Sequence, residues 1–311
     1  MTKGSVNPHN GPIRQTVTVD DAGVTLGEFL ARLIGADGEL VLAHGGAWIN
    51  RQRVQDATLL LAENDEVVIS RPPDGAYSQI VIDPAWLLFE DDDLIALDKP
   101  PGTYVEATPW DIGGNIRLAL VTYLAARDGP APTLHLAHRL DRDTSGVLLL
   151  SKSPEVNPAL QHTFAQGLAH KLYLCRCAGL PEADVQEIET GHGRGGQGRF
   201  RVYPLDEVGR QLLGGGTVKK MKTRVTVLQR GSDSALVQAE PLTGRTHQIR
   251  LHMAEIGHPL LGDARYGGPT TWRGEELRYH LLHAARLTIP HPRTSEPLTI
   301  EAGAVWWTEL D

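Results

Sequence analysis

Cysteine is almost missing: the 311 residues hold two, Cys175 and Cys177. That scarcity excludes a disulfide framework and any zinc site built from four thiolates. Both lie in the apolar segment 172–178, which reads as a strand, so at i and i+2 they point to one face. Neighbours of that kind rarely meet disulfide geometry, so they read as reduced packing residues and the chain as cytoplasmic. No apolar run approaches the ~20 residues of a membrane span. Residues 1–14, with Gly4, Pro8, Asn10, Gly11 and Pro12, lack the apolar core of a signal peptide and read as a flexible tail. Also lacking is a glycine-rich phosphate loop, so nothing points to a nucleotide cofactor. Cations are in deficit, with a net charge of −8, so any nucleic-acid contact must be a local property of the surface.

The charges that are present are polarised. Between Gly191 and Arg230 stand nine basic residues, Lys219, Lys220 and Lys222 among them, against two acids, Asp206 and Glu207. The preceding stretch 82–98 carries Asp83, Glu90, Asp91, Asp92, Asp93 and Asp98 without one base before Lys99. Such a basic stripe is either a solvated face or a backbone-tracking surface for RNA.

Residues 15–71 read as a small separate unit. Gln15–Val19 alternates as a strand, Leu26, Phe29, Leu30 and Leu33 recur at helical spacing before Gly35, and strands follow around Trp48 and Val67. Arg71-Pro72-Pro73-Asp74-Gly75 opens a linker over residues 72–84. Two apolar runs around Glu90-Asp91-Asp92-Asp93 form a hairpin pattern ending in Asp98-Lys99-Pro100-Pro101-Gly102. Residues 116–124 suit a helix, and Asn157-Pro158 has the chemistry of a helix start, with an earlier start at Ser153-Pro154 also open. Ile249, Met253 and Ile256 fall on one helical face before Gly257, with Thr243 or Thr246 available as the cap.

The stretch that organises the chain is His138-Arg139-Leu140-Asp141-Arg142-Asp143-Thr144-Ser145-Gly146, running into Val147-Leu148-Leu149-Leu150. Four apolar residues in a row read as a strand buried on both faces. A charged loop against such a strand needs a partner for every charge. Read from spacing alone, Asp143, Thr144 and Ser145 make a capped turn. The run His-Arg-Leu-Asp-x-x-Thr-Ser-Gly nevertheless resembles the signature of the RluA-type pseudouridine synthases. Lys171-Leu172-Tyr173 and Arg245-Thr246-His247-Gln248-Ile249-Arg250-Leu251-His252 resemble two further motifs of that family, and Lys99-Pro100-Pro101-Gly102 its opening one.

The resemblance implies an α+β fold: a mixed, mostly antiparallel sheet with flanking helices over residues 85–311. It also implies an enzyme that isomerises uridine in RNA. Asp141 would be the catalytic nucleophile, Tyr173 would stack on the uracil and assist proton removal, and Arg245 would pair with Asp141. Arg139 would fill the stack vacated by the flipped nucleotide, Leu251 would line the pocket, and Lys219, Lys220 and Lys222 would form a basic rim. Residues 15–71 are similar to an S4-type RNA-binding domain, which points to large-subunit ribosomal RNA, with transfer RNA as the alternative target. The expected chain is a monomer that needs no cofactor, metal or membrane. Two rival readings are a non-catalytic RNA-binding or ribosome-assembly factor and a metal hydrolase built on His138, His247, His252 and His258 with Asp141 and Asp263. The five-residue spacing of His247 and His252 diverges around a helix and disfavours the hydrolase.

Overall fold

The computed structural model describes residues 11–195 and 199–309. They fall into two compact units: one runs to Ile82 and takes in Thr103–Gly129, the other comprises Asp83–Gly102 and the chain from Pro130 onward. Most of the tail expected over residues 1–14 lies outside the described residues. Its last two positions already belong to the first strand, β1 (Ile13–Thr16).

In the first unit β1 joins β2 (Ala47–Ile49), β3 (Gln52–Val54) and β4 (Glu66–Ile69) in an antiparallel sheet of order β1-β4-β2-β3. Helices α1 (Leu26–Ile34) and α2 (Asp37–His44) accompany that sheet. α1 starts where Thr25 and Glu28 form a reciprocal capping box, and it buries Leu26, Phe29 and Leu30. Those side chains join Val41, Val67 and Ile69 in one core. Helix α3 (Ile116–Asp128) begins at an Asn115 cap and stops at Gly129. The segment before α3 is hydrogen-bonded into this unit. Trp48 Nε1 donates to the Pro109 carbonyl (2.8 Å), Arg53 Nη2 to that of Thr108 (2.5 Å), and Ile112 N to that of His44 (3.0 Å). A domain boundary placed wholly at the linker therefore misses this return of the chain, which no local composition marks.

The second unit is built on a mixed sheet. Its strands are β5 (Leu87–Glu90), β6 (Leu94–Lys99), β7 (His135–Leu136), β8 (Ser145–Ser151), β9 (His170–Ala178), β10 (Val185–Arg194), β11 (Phe200–Tyr203), β12 (Lys219–Arg230) and β13 (Ser234–Pro241). A short pair, β14 (Thr271–Trp272) and β15 (Glu275–Glu276), precedes β16 (Leu282–Pro290) and β17 (Pro297–Glu301). The sheet order is β11-β10-β12-β13-β9-β16-β8-β6-β5, with β17 on β16 and β7 on β8. Every pairing is antiparallel except β16 with β8, so the mixed, mostly antiparallel sheet matches the expectation.

Val147–Leu150 of β8 are fully buried, and each contributes about 1.5–3 kcal/mol relative to an exposed side chain. Val147 and Leu149 pack with Leu160 of α4 (Asn157–Ala165). That helix follows a 3-10 turn begun by Pro154, so Asn157 is its first residue and not its cap; the Asn157 side chain instead bonds the Ser151 hydroxyl. Gly146, at φ +104°, opens β8 beside Ala284, where any Cβ would overlap the Ala284 carbonyl. Among the described residues no helix is long and apolar enough to cross a membrane.

Candidate active site

The loop ahead of β8 is pinned from three sides. His138 accepts from the Leu149 backbone N–H at Nε2 (3.1 Å) and stacks on Phe164. Burial pushes its pKa down to about 3, so it acts as a neutral clamp. Lys99, wholly buried at the end of β6, donates through Nζ to the carbonyls of Pro100 and Arg142 (2.9 Å each). Burial lowers its pKa to about 7, against the opposing pull of Asp143 and Asp141. On the far side Thr144 Oγ1 and His280 Nε2 share a 2.9 Å hydrogen bond, and Ser145 Oγ and His283 Nδ1 one of 2.8 Å. The turn expected from Asp143, Thr144 and Ser145 is thus held by long-range partners.

Asp141 emerges from this loop against α5 (Gln248–Glu255). Arg250 Nη1 donates to Asp141 Oδ2 (2.9 Å), while its Nε and Nη2 donate to the two oxygens of Asp263 (2.6 and 2.9 Å). The side chains of Asp263, Arg250 and Asp141 are 2, 8 and 24 % exposed. The bidentate anchor is therefore buried, and the carboxylate at its tip stays reachable.

Burial alone would raise the pKa of Asp141, but the charges of His247 and Arg250 outweigh it and hold the carboxyl below its ordinary value. His247, however, is itself pushed down to about 4, chiefly by burial and in spite of Asp141. Near neutral pH it carries no charge, so Arg250 is the cation that keeps Asp141 ionised. Tyr173, half-buried on β9, feels burial and then the Asp141 charge, and both drive its phenol well above the ordinary value. Tyr173 packs in the core shared by Ile249 and Met253 of α5.

The partner of Asp141 is thus Arg250, which corrects the expectation for Arg245. Helix α5 starts only at Gln248, so Arg245 lies in the loop before it, where its Nε donates to the Lys220 carbonyl (3.1 Å). The two arginines of the motif thus have different partners, Arg250 the carboxylate of Asp141 and Arg245 a backbone carbonyl. Neither Thr243 nor Thr246 caps α5. His247 occupies that position in the left-handed region (φ +58°), and Gln248 does the local bonding. Gln248 Oε1 accepts from Thr243 Oγ1 (2.7 Å) and the Arg245 backbone N–H (3.0 Å), and Gln248 Nε2 donates to the Lys222 carbonyl (2.8 Å). Arg139 is exposed on the Asp141 loop, and Leu251 is buried on α5 next to Arg250.

The basic rim also differs from expectation. Lys222 pairs with Glu187 (2.9 Å) and reaches Glu189 (3.8 Å), and Lys220 pairs with Glu189. Both acids stand on β10, facing β12 across the ladder. A count of charge from Gly191 onward stops short of them. The histidines of the hydrolase reading disperse: His252 bonds Thr223 and Thr190, and His258 the Ala178 carbonyl.

Sequence reasoning gave Arg250 and Tyr266 no role, and it named His247 and Asp263 only as ligands of the hydrolase reading. All four lie within the third motif and its continuation Gly262-Asp263-Ala264-Arg265-Tyr266-Gly267. The available signal was the second arginine of that motif, the one on the helix.

A family model described as RNA pseudouridylate synthase matches residues 93–255, just over half of the chain. The "Ribosomal large subunit pseudouridine synthase C" of Yersinia pestis is 32% identical over 315 residues, covering 94% of this chain and 93% of that protein. The chain belongs to the RNA pseudouridylate synthase family. "RNA pseudouridine synthase 1" of rice is another pseudouridylate synthase relative, 37% identical over 212 residues. This match covers 57% of the chain and 61% of the rice protein, so the chain spans less than two thirds of that relative. The pseudouridylate synthase fold is likewise that of "Human RNA Pseudouridylate Synthase Domain Containing 4", at a TM-score of 0.59 and 23% identity over 72% of this chain and 90% of that one.

Proposed function

We propose that this chain converts uridine to pseudouridine in structured RNA, with Asp141 as the nucleophile. The observation that carries the reading is the Asp263–Arg250–Asp141 chain, which keeps one reachable carboxylate ionised, with its charge acting on the Tyr173 phenol. The reaction breaks the N1–C1′ bond, turns the base and joins C5 to C1′. A proton leaves C5 and one is gained at N1, so the sum is an isomerisation without redox change. An ionised carboxylate can attack C1′, as in retaining glycosidases, or C6 of the ring, and either route needs Asp141 charged. Arg250 leaves Asp141 Oδ1 outside its own hydrogen bond, and that oxygen is the attacking one.

A uridine in a stem must be flipped to reach such a group. Arg139, exposed two residues before Asp141, fills the vacated stack with its planar guanidinium. Tyr173 and Leu251 flank the base. Lys219 is the member of the basic rim best suited to a phosphate, because Lys220 and Lys222 already hold carboxylates.

The target favoured is large-subunit ribosomal RNA, the substrate class named for the Yersinia relative. Transfer RNA is the second reading, and it draws on the weak basicity of the first unit. There Arg14, Arg32 and Arg71 pair with Glu66, Asp21 and Asp37, which leaves the S4-type element little charge for a large ribosomal partner.

The test is tritium release from RNA carrying C5-labelled uridine. Release by the native chain and none by Asp141→Ala is expected, a loss of at least about 10⁴-fold. Release that survives the substitution overturns the assignment of the nucleophile. Mapping pseudouridine in total RNA with and without the protein distinguishes the two targets.

A further inference from the structure

His247 stands beside the nucleophile in a conformation that its neighbours must hold in place. It takes φ +58° at the start of α5, a region that costs a residue with a Cβ about 1 kcal/mol or more and that recurs at working sites. Its Nδ1 lies 2.7 Å from the Tyr266 hydroxyl, and its Nε2 lies 3.8 Å from Asp141 Oδ1. The rings of Phe200 and Tyr266 meet it edge-on at 5.8 and 5.7 Å and fix its plane. Asp141, Arg250, Arg265 and Asp263 are the charges around it, and burial keeps it neutral down to about pH 4.

A neutral imidazole has one N–H and one lone pair. A lone pair on Nε2 would face the ionised Asp141, whereas an N–H there is attracted to it. The proton therefore sits on Nε2, and Nδ1 accepts from the Tyr266 O–H, a phenol whose own pKa burial raises. The 3.8 Å gap is too long for a hydrogen bond to Asp141, so the Nε2–H is left for another acceptor close to Oδ1.

We propose that His247 is a catalytic hydrogen-bond donor to a uracil carbonyl as the base leaves the ribose, held in its tautomer by Tyr266. This rests on the isomerase reading above. When N1–C1′ breaks, the electron pair stays with the base and its charge spreads onto the carbonyl oxygens. A fixed neutral donor stabilises that charge without transferring a proton. The proton lost from C5 and the one gained at N1 pass by other groups.

Two measurements test the role. Nitrogen NMR of the full chain at neutral pH is expected to show His247 protonated at Nε2 and bare at Nδ1, with the preference weakened in Tyr266→Phe. In single-turnover assays His247→Phe is expected to slow pseudouridine formation about 10²-fold with RNA affinity unchanged. His247→Gln, which keeps an N–H donor, recovers about tenfold of that loss. A proton on Nδ1, a His247→Phe rate equal to native, a His247→Gln rate no better than His247→Phe, or a loss confined to affinity each overturns the donor role. A native chain that forms no pseudouridine refutes the isomerase reading and the donor role together. The wrong tautomer in an active chain whose Asp141→Ala variant is dead refutes the donor role alone.

Discussion

Two of the acid–base clusters in the second unit use charge differently. Around Asp141 the guanidinium of Arg250 spans two carboxylates with most of its surface out of water. Across β10 and β12, Lys220 and Lys222 reach Glu187 and Glu189 on an open sheet face. The buried fork fixes position and ionisation at once, because breaking a desolvated pair costs about 3–5 kcal/mol. The exposed ladder contributes about 0–1 kcal/mol per pair and is screened by salt. Proximity of opposite charges thus says little until the solvent around them is known.

The sharpest way to break this contrast is Arg250→Lys. An ammonium keeps the charge but cannot span Asp263 and Asp141. We expect about 10²–10³-fold lower activity together with a loss of roughly 3 kcal/mol in urea denaturation. A fall of less than about threefold would mean that the fork is not what holds Asp141 ionised. Next comes Lys99→Met, which removes the donor beneath the Arg142 carbonyl. Displacement of the Asp141 loop by about 1 Å is expected to cost up to about 10²-fold in rate, with RNA binding unaltered in a filter assay.

Acid should separate the two clusters by stability. His138 and His280 sit near 3, and His247 and His252 near 4, all chiefly through burial. The unfolded chain binds these protons from about pH 6.5 downward and the folded one does not. Stability therefore falls as pH drops below about 6.5, by up to about 1.4 kcal/mol per unit for each such histidine. Above about pH 4.5, where glutamates stay ionised, replacing Glu187 and Glu189 by Gln should leave that slope alone; a slope flattened in that range would sink the comparison.

The smaller effects lie on the rim. Three unpaired lysines tracking a single strand would contribute about 2 to the slope of log affinity against log salt. With two of them held by glutamates, replacing Lys219, Lys220 and Lys222 by Gln is expected to lower it by about 1. Arg245→Lys should change the rate by less than about threefold, because its guanidinium donates to a backbone carbonyl and not to Asp141. A large loss there would restore Arg245 as the partner of the nucleophile.

What could be read along the chain was local. The run Val147–Leu150 announces a buried strand, and the acidic turn before Leu94 announces a hairpin, since each is a pattern of neighbours. Asp141 and Tyr173 stood out through short motifs in which every position is a neighbour. The choice between Arg245 and Arg250 was not legible, because it turns on where α5 begins. That start is decided by the Gln248 side chain reaching Lys222 and Thr223 on another strand. The return of Thr103–Gly129 to the first unit and the glutamates opposite the lysines escaped for the same reason.

By itself, then, the sequence determined the strand and hairpin core, the family motifs and the acid that leads them, because periodicity and short spacing are enough for those. Only the tertiary structure decided which arginine meets Asp141, that His247 faces it as a neutral group, and that two of the three rim lysines are held by glutamates. Those outcomes depend on burial and on contacts between residues up to about a hundred positions apart, as between Asp141 and Arg250. Such contacts change which charges survive desolvation, and no stretch of chain carries that information alone.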